Sequence, residues 1–324
     1  MKSITFEGGY VQLFEGESLL EALLRQGHEI PNGCRSGVCQ SCLLSSVDSV
    51  AITSAQSGLS GAQKQLNYFL SCQYKSCEPI AVERIDNQGN RVAGKVVEKQ
   101  SLNERVIKLA IEVALDYKPG QYVTLWKDDS LARSYSLASQ PNSDDIIELH
   151  IRKYPNGKFS NWVSDVLDVG DSIDVQGPLG QCIYTPCQEQ PMLLTAIGTG
   201  LAPIWGVLQD ALSQGHTAPI ALVIGAKQQA DFYYIAELCE LEQQHENLSL
   251  HFVCQENIAP EAEQPDGASN DIYQYCAKRF SSMKGYRVFV CGGQSFVGKM
   301  RKQCFMAGAK MKDISSDVFI PFGV

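Results

Sequence analysis

The pattern of apolar and polar positions changes character twice along the chain. Near the N-terminus, two alternating runs, Lys2–Phe6 and Tyr10–Phe14, are separated by Glu-Gly-Gly, which predicts a β-hairpin. Ser18-Leu-Leu-Glu21 is a capping-box pattern, and the leucines after it form an apolar stripe at helical spacing up to Gly27. The first segment therefore combines short strands with one amphipathic helix.

In the middle of the chain, apolar residues recur at every second position. Apolar residues alternate with others through 107–113 and again through 147–151, and Pro-Gly or Gly-Pro turns separate such runs, as at Pro119-Gly120 and Gly177-Pro178. Short alternating strands with turns between them predict a small antiparallel β-barrel. The polar run from Glu83 to Asn90 suits a linker in front of it.

From Pro191 onward, continuous apolar strands alternate with helical segments. The predicted strands are Met192–Ile197, Pro219–Gly225, Leu248–Val253 and Arg287–Val290, which we take to be the last strand. This alternation predicts a doubly wound parallel α/β sheet, a fold that binds ligands at the carboxyl ends of its strands. A chain of 324 residues is long for one core, and we expect three domains, 1–85, 86–187 and 188–324.

Composition and net charge limit which binding partners and which cellular compartment are expected. A net charge of −9 argues against binding to nucleic acid or to anionic membranes. The N-terminal MKSITFEGGY lacks the apolar core of a signal peptide, so we expect a cytoplasmic protein. The uncharged stretch 192–208 contains three glycines and a proline. It is shorter than the roughly 20 apolar residues of a spanning helix, which favours a buried strand–turn–helix.

The N-terminal cysteines are spaced for a metal centre. Twelve cysteines in a reducing compartment do not indicate a disulfide scaffold. Cys34, Cys39 and Cys42 follow the pattern C-x4-C-x2-C and Cys72 lies downstream, which is the plant-type [2Fe–2S] arrangement. A zinc site is the alternative, but such sites usually pair two C-x2-C knuckles and this region has one. Cys77 is a second candidate for the fourth ligand, and Cys72 is preferred.

GCRSGVCQSC together with Cys72 resembles the plant-type ferredoxin domains, which implies a β-grasp-like α+β fold for the first quarter of the chain. Gln40 departs from that family, which usually has glycine or another small residue between the second and third ligands. If this domain holds the cluster, an electron acceptor is expected to dock near Arg35–Val38.

Four motifs in order, PGQYV, ARSYSLAS, RKYPNGKFS and GPLG, resemble the flavin domain of the ferredoxin–NADP reductase superfamily. The chemistry fits, since Tyr135 can pack on an isoalloxazine ring, Ser136 can reach the flavin N5 and Arg133 can pair with pyrophosphate. In the alternative reading, Tyr135 is a core residue of the barrel and Arg133 a surface charge. The resemblance implies FAD rather than FMN, with further binding residues His150, Ile151, Arg152, Gly157, Lys158, Phe159 and Ser160.

GTGLAP follows the first strand of the third segment. Gly198 and Gly200 leave room for a pyrophosphate, and Pro203 suits the first helical position, so that backbone N–H groups face the anion. The general G-x-G-x-x-G fingerprint is not met. The loop resembles the G-T-G-x-A-P loop of the reductase superfamily, although Ala196 and Ile197 replace the glycines of many members. The implied nucleotide-binding residues are Gly198, Thr199, Gly200, Ala202 and Pro203.

Residues in three further stretches bear on the nicotinamide nucleotide or on the flavin. The resemblance places Cys291 and Gly292 beside the nicotinamide, and the alternative for Cys291 is an ordinary buried cysteine. Near the end of the second strand, Lys227 is accompanied by Asp231, which is thin support for a 2′-phosphate and favours NADH over NADPH. In the C-terminal DVFIPFGV, Phe319 or Phe322 is a candidate to cover the flavin.

The order of the three modules resembles the NADH-dependent reductase components of multicomponent oxygenases over nearly the whole chain. The resemblance implies that hydride passes from NADH to FAD near Ser136 and Cys291. Electrons then pass singly through the [2Fe–2S] cluster to a protein acceptor, expected to be an oxygenase component. Two other uses of this layout stay open: a reductase for a deoxysugar-pathway dehydratase, and a non-catalytic redox sensor module. The oligomeric state is not predicted.

Overall fold

The computed structural model describes residues 2–32, 35, 37, 40–47, 52–59, 61–75, 79–85, 91–256 and 271–319. Within this part of the chain the strands form three sheets, which follow one another along the sequence. The first two sheets each have a hydrophobic core, and the third has one core on each face. Among the described residues, no helix combines the length and the apolarity needed to cross a membrane.

The first sheet has the strand order β2-β1-β5-β3-β4. Its hairpin and its capping box are confirmed: β1 pairs with β2, and the Ser18 and Glu21 side chains cap each other's backbone N–H groups. The strand β5 includes Glu83, so the predicted linker begins later than expected, and its part from 86 to 90 lies outside the described residues. The elements are β1 Lys2–Phe6, β2 Gly9–Leu13, α1 Leu19–Arg25, β3 Leu43–Ser46, α2 Gly61–Gln65, β4 Tyr68–Leu70 and β5 Ala81–Arg84.

The second sheet is antiparallel, with the order β10-β7-β6-β11-β8-β9, and a bridge between Leu137 and Leu149 joins its two edges into a barrel. The alternating apolar side chains, such as Leu109 and Ile111, are fully buried inside it, which confirms the predicted barrel. The elements are β6 Arg91–Asn103, β7 Val106–Glu112, β8 Tyr122–Trp126, β9 Ala132–Ser136, β10 Ile146–Arg152, α3 Lys158–Asp165 and β11 Ser172–Leu179.

The third sheet is parallel throughout, with the order β14-β13-β12-β15-β16, and it confirms the doubly wound α/β prediction. The uncharged stretch 192–208 is a buried strand, a 3-10 turn and the first half of a helix, as predicted. The elements are β12 Met192–Ile197, α4 Leu201–Ser213, β13 Ile220–Ala226, α5 Ile235–Gln244, β14 Leu248–Cys254, α6 Ile272–Arg279, β15 Arg287–Gly293, α7 Gln294–Met306 and β16 Ile314–Phe319.

Two expectations about this sheet were wrong. The strand at Arg287 is not the last, because β16 pairs with β15 in parallel at the edge of the sheet. Pro203 is the third residue of α4, not the first, because Gly198–Gly200 forms a 3-10 turn and the helix begins at Leu201. The first N–H groups of a helix have no intrahelical partner, so a proline at this position still removes no bond.

Candidate functional site

Two of the predicted cluster ligands meet at one end of the first sheet. Cys42 immediately precedes β3 and Cys72 lies two residues beyond β4, and the antiparallel pairing of Leu43 with Leu70 brings the two thiols to the same end. Both cysteines are buried, and Ser71 binds the carbonyl of Cys42 through its hydroxyl at 2.8 Å. Cys34 and Cys39, the other two predicted ligands, and the competing Cys77 lie outside the described residues.

The polar surroundings of Cys72 suit a thiolate. The side-chain amide of Gln73 donates to Cys72 Sγ at 3.4 Å and to the carbonyl of Arg35 at 3.3 Å, which joins the two segments that carry the predicted ligands. Hydrogen bonds to a cluster sulfur stabilise its negative charge. The residues present in this part of the site therefore fit an iron–sulfur cluster.

Gln40, where the sequence departs from the ferredoxin pattern, adopts a left-handed backbone conformation with φ of +55°. Glycine reaches this conformation without steric cost, whereas other residues lose about 1 kcal/mol. Here both polar atoms of the side-chain amide form hydrogen bonds: Nε2 donates to the carbonyl of Gly58, and Oε1 accepts from Gln63. These two bonds explain how a large residue occupies a position that favours a small one.

The first domain packs against β9 of the barrel. Arg133 donates to the carbonyl of Asn32 at 3.0 Å, and the hydroxyls of Ser41 and Ser134 lie 3.4 Å apart. Ser134 is also 3.0 Å from the buried hydroxyl of Thr124 on β8. The segment around the predicted cluster ligands is therefore in direct contact with the strand that carries the predicted flavin residues.

Tyr135 points to the other side of β9 from Ser134, since successive side chains of a strand alternate. Its ring is half-buried and packs on Phe159 of α3 with ring centroids 5.8 Å apart. Arg133 and Tyr154 both influence the phenol electrostatically, so the three side chains lie together. Tyr135 is thus neither deep in the core nor fully exposed, which fits a surface on which a planar ring can pack.

The N-terminus of α3 lies beside this aromatic surface. Gly157 precedes the helix without a side-chain capping bond, so the first N–H groups, from Lys158 onward, are available to an anion. The hydroxyl of Ser160 is engaged within its own loop, where it accepts from the backbone N–H of Tyr154 at 3.2 Å. A Cβ on residue 157 would lie 2.3 Å from that hydroxyl, so a larger residue there would displace the Ser160 side chain. The residues present fit the diphosphate of a flavin nucleotide.

The next residue on β9 connects the barrel to the third sheet. Ser136 donates its hydroxyl to the carboxylate of Asp317 on β16 at 2.6 Å, and Asp317 is registered opposite Cys291 of β15. Sequence reasoning missed Asp317 because its partner lies 181 residues away. The sequence did contain one indication of its place. Asp317 and Phe319 are two positions apart on one strand, so their side chains lie on the same face. Phe322, the other predicted aromatic, lies outside the described residues.

Cys291 is buried at this junction, with its sulfur 3.6 Å from that of Cys182. Burial raises the pKa of the Cys291 thiol well above its ordinary value, and the neighbouring Cys182 and the charge of Asp317 act in the same direction. The thiol is therefore neutral at physiological pH. A Cβ on residue 200 would lie 2.2 Å from the carbonyl of Cys291, so Gly200 allows the GTG turn to pack directly on β15.

A cleft of 540 Å³ lies between the barrel and the third sheet. Its floor is formed by the carboxyl ends of all five strands of that sheet, at Ile197, Ala226, Val253, Gly293 and Phe319. Its opposite wall is formed by barrel residues Asn103, Arg105, Val106, Arg152 and Tyr154. The carboxyl edge of a doubly wound sheet is where such folds bind nucleotides, so this cleft fits a nicotinamide nucleotide.

The predicted nucleotide residues divide into two groups. Gly198 and Thr199 line the cleft together with Arg152, and a Cβ on residue 198 would lie 3.2 Å from the Arg152 guanidinium. Ala202 and Pro203 are buried in the first turn of α4, so their side chains pack in the core. Ile151 is likewise fully buried in the barrel, which leaves only its backbone to face a ligand.

His150 occupies an unexpected environment for a flavin-binding residue. It is buried between β10 and the segment before α5, with one ring nitrogen 3.1 Å from Tyr233 and the other 3.0 Å from Glu148. Both ring nitrogens therefore have protein partners, and any contact of His150 with a flavin has to come from its backbone.

Comparison with known proteins matches a different family model to each of the three sheets. Residues 7–77 match the 2Fe-2S iron-sulfur cluster binding domain, residues 93–184 the oxidoreductase FAD-binding domain, and residues 194–302 the oxidoreductase NAD-binding domain. The reductase component of the naphthalene 1,2-dioxygenase system of Pseudomonas putida is 32% identical over 95% of both chains. The chain belongs to the reductase components of multicomponent oxygenases. This reductase is accordingly an NAD(P)H-dependent oxidoreductase with an iron–sulfur domain and an FAD domain.

Other relatives of the reductase have related names. The anthranilate 1,2-dioxygenase electron transfer component of Acinetobacter baylyi is 28% identical, over 87% of this chain and 85% of its own. The crystal structure of the Amycolatopsis cytochrome P450 reductase GcoB superimposes with a TM-score of 0.68 over 99% of both chains, at 26% identity. The ferredoxin reductase of carbazole 1,9a-dioxygenase has the same fold, with a TM-score of 0.67 over 98% of both chains at 19% identity.

Proposed function

We propose that the reductase takes hydride from NADH and delivers electrons, one at a time, to the oxygenase component of a multicomponent system. The observation that carries this proposal is the position of β9. Within five residues, this strand contacts the first domain through Arg133 and Ser134, presents Tyr135 beside α3, and contacts the third sheet through Ser136. One short strand thus adjoins all three cofactor-binding units, which suits a direct electron path.

The residues have distinct parts in this proposal. Bound FAD would supply the conversion of hydride into single electrons, which the [2Fe–2S] cluster would carry onward. Arg133 and the N-terminus of α3 would hold the flavin diphosphate, and Tyr135 would support its ring. Ser136, oriented by Asp317, would offer a polar group at the reacting edge. Neutral Cys291 would exclude water there without acting as a nucleophile.

The cluster ligands we propose are Cys34, Cys39, Cys42 and Cys72. For Cys42 and Cys72, support comes from their burial at one end of the first sheet and from the Gln73 amide on the Cys72 sulfur. The remaining two follow from the spacing of the motif.

The charges at the outer end of the cleft support NADH as the donor. Arg105 lies 3.7 Å from Asp231 and Lys227 lies 3.5 Å from Glu256, so these two cations are paired with acids, whereas the third cation of the cleft, Arg152, lies beside Gly198. Asp271 also lines the cleft and adds a negative charge. A 2′-phosphate needs cations that are not already neutralised. We therefore propose that NADPH is the poorer donor, with a lower kcat/KM than NADH in a direct comparison.

The acceptor is proposed from the family. Relatives named for dioxygenase systems support an oxygenase component as the partner, and the similarity to a cytochrome P450 reductase makes a P450 the second candidate. A dehydratase of deoxysugar metabolism is a third candidate. Reconstitution of electron transfer with each purified acceptor would distinguish the three candidates. A redox sensor without turnover would reduce none of them.

Anaerobic spectroscopy of the purified protein tests the function. We expect flavin and [2Fe–2S] absorbance that bleaches on addition of NADH, with reduction of cytochrome c and ferricyanide under steady-state conditions. Cys42→Ser should abolish cytochrome c reduction, since the cluster is the exit, while direct reduction of ferricyanide by the flavin continues. Equal loss of both activities would contradict the order of electron transfer, and protein that carries both cofactors without bleaching would exclude the reductase function.

A further inference from the structure

A polar network of two buried and two half-buried side chains joins the barrel to the third sheet outside the nucleotide cleft. Glu148 and His150 lie on β10, and Tyr233 and Tyr234 immediately precede α5. The Tyr233 hydroxyl is 3.1 Å from His150 Nδ1, and His150 Nε2 is 3.0 Å from Glu148 Oε1. The Tyr234 hydroxyl donates to the same carboxylate oxygen. The four side chains thus form a continuous chain of hydrogen bonds between two domains.

Each group in the network has a consistent hydrogen-bonding role. Burial lowers the pKa of His150, so the imidazole is neutral, donates from Nε2 and accepts at Nδ1. Burial acts to raise the pKa of Glu148, but the bonds from His150 and Tyr234 and the charge of Lys108 outweigh it, and the pKa lies below its ordinary value. A buried polar network is rigid when every member is satisfied, and these four satisfy one another.

Aromatic packing fixes the same residues in space. The rings of Tyr233 and Tyr234 meet the His150 ring edge-on, with centroids 5.2 and 4.9 Å away, and Trp205 of α4 packs on Tyr234 at 5.4 Å. Tyr234 has a φ of +58°, a left-handed conformation that a residue with a side chain rarely adopts. Such strain persists where the surroundings over-determine the conformation, and it is concentrated at functional positions.

The network is connected to both walls of the nucleotide cleft. On one side, residues 228–234 follow directly after Lys227, which lines the cleft. On the other side, β10 ends at Arg152, which lines the opposite wall. The same segment is held to the barrel at a second point, where Asn103 donates to the carbonyl of Asp231 at 3.1 Å. A shift of the segment 228–234 would therefore move one wall of the cleft relative to the other.

We propose that Glu148, His150, Tyr233 and Tyr234 form an interdomain clamp that positions the nucleotide against the flavin for hydride transfer. The proposal rests on the function proposed above, since it requires a nicotinamide nucleotide in the cleft. The four side chains are positioning residues, because none of them lines the cleft. The clamp also gives His150 a role that the flavin-binding prediction did not include.

Removing hydroxyl groups tests the clamp with little change in volume. Tyr233→Phe removes the bond to His150, and the double variant Tyr233→Phe/Tyr234→Phe also removes the bond to Glu148, while both variants keep the two rings. Tyr184→Phe is a matched control, because Tyr184 also places its hydroxyl 3.1 Å from the Nδ1 of a buried histidine, His216. Tyr184 follows β11 and His216 follows α4, so this pair does not join β10 to the segment before α5.

Hydride transfer is measured by anaerobic stopped-flow reduction of the flavin over a range of NADH concentrations. In the double variant we expect the limiting rate at saturating NADH to fall about tenfold, because misplacement by a fraction of an ångström is costly for transfer. The dissociation constant for NADH should change by no more than about twofold, since the groups that contact the nucleotide are intact. Amide hydrogen exchange of residues 228–234 in the protein without nucleotide should become faster, and Tyr184→Phe should change neither property.

Other results would overturn the clamp. A double variant with the wild-type limiting rate and wild-type exchange at 228–234 would contradict it. Equal losses of limiting rate in the double variant and in Tyr184→Phe would show general destabilisation instead. Failure of the wild-type flavin to be reduced by NADH or NADPH would contradict the proposed function itself, and it is distinguished from failure of the clamp by the wild-type trace alone.

Discussion

At the scale of single residues, the fourth cluster ligand can be tested directly. The pairing of β3 with β4 places Cys72 beside Cys42, and Gln73 donates to its sulfur. We therefore predict that Cys72→Ser loses the [2Fe–2S] absorbance and the iron of the purified protein. Cys77→Ser is the matched control and should keep about two irons per chain, the content of one cluster. Loss of the cluster in Cys77→Ser, with retention in Cys72→Ser, would assign the ligand to Cys77.

Residues whose chemistry requires a fixed local spacing could be predicted, and residues paired over long distances could not. The cysteine motif was recognisable because a cluster loop needs its thiolates a few positions apart. Asp317 was not, because its role depends on Ser136, and no local pattern connects two positions that far apart in the chain. For His150 the residue was noticed, but its partner Tyr233 comes from a segment 83 positions away in the chain.

At the scale of secondary structure, elements with strong periodicity were predicted well. The hairpin at the N-terminus, the capping box of α1 and the strands β12 to β15 all lie where the pattern of apolar residues indicates them. β16 was missed because it is an edge strand with half-buried serines and an aspartate, so it shows no continuous apolar run. The last two residues of β5, Glu83 and Arg84, were assigned to the linker for a similar reason, since both are exposed and charged.

The GTG turn offers a prediction at this scale. Gly200 has an ordinary backbone conformation, but a Cβ there would lie 2.2 Å from the carbonyl of Cys291. Gly200→Ala should therefore push the turn away from β15, lower stability by about 1–3 kcal/mol and weaken binding of NADH. Titration of the flavin spectrum with NAD⁺ and chemical unfolding measure the two effects.

Gly298→Ala is the control for this substitution, because a Cβ at residue 298 of α7 would have no atom within 4 Å. Alanine is favoured over glycine inside a helix, so the control should be as stable as the wild type or more stable. Nucleotide binding by Gly200→Ala that equals binding by the wild type would show that the turn tolerates displacement and that its contact with β15 does not shape the site.

At the scale of the whole molecule, the domain order and the three folds followed from the sequence, whereas the contacts between the domains did not. Hydrophobic periodicity reports which face of an element is buried, but it does not report which neighbour covers that face. The contacts of Arg133 with Asn32 and of Ser136 with Asp317 involve polar residues in short bonds, and each spans more than a hundred positions. Such contacts cannot be predicted from the pattern of residues in a short segment of the sequence.

Three histidines, of which His150 and His216 are buried and His251 is half-buried, give the molecule a predictable response to acid. Burial lowers the pKa of His150, His216 and His251 below the ordinary value of 6.5. Between its lowered pKa and 6.5, each histidine binds more protons in the unfolded chain than in the folded one. Stability therefore falls as the pH decreases below about 6.5. Glu148, whose pKa is also lowered, adds to the loss below about pH 4.5.

We predict that the midpoint of thermal unfolding decreases steadily between pH 7 and pH 5 in the wild-type reductase, at constant ionic strength. His150→Gln should show a shallower decrease, because glutamine keeps hydrogen-bonding groups between Tyr233 and Glu148 but cannot take up a proton. The control His245→Gln replaces a half-buried histidine at the end of α5 and should keep the wild-type slope. Equal slopes in all three proteins would show that protonation of His150 does not control the acid response, and that the interface between barrel and third sheet accommodates a charged imidazole.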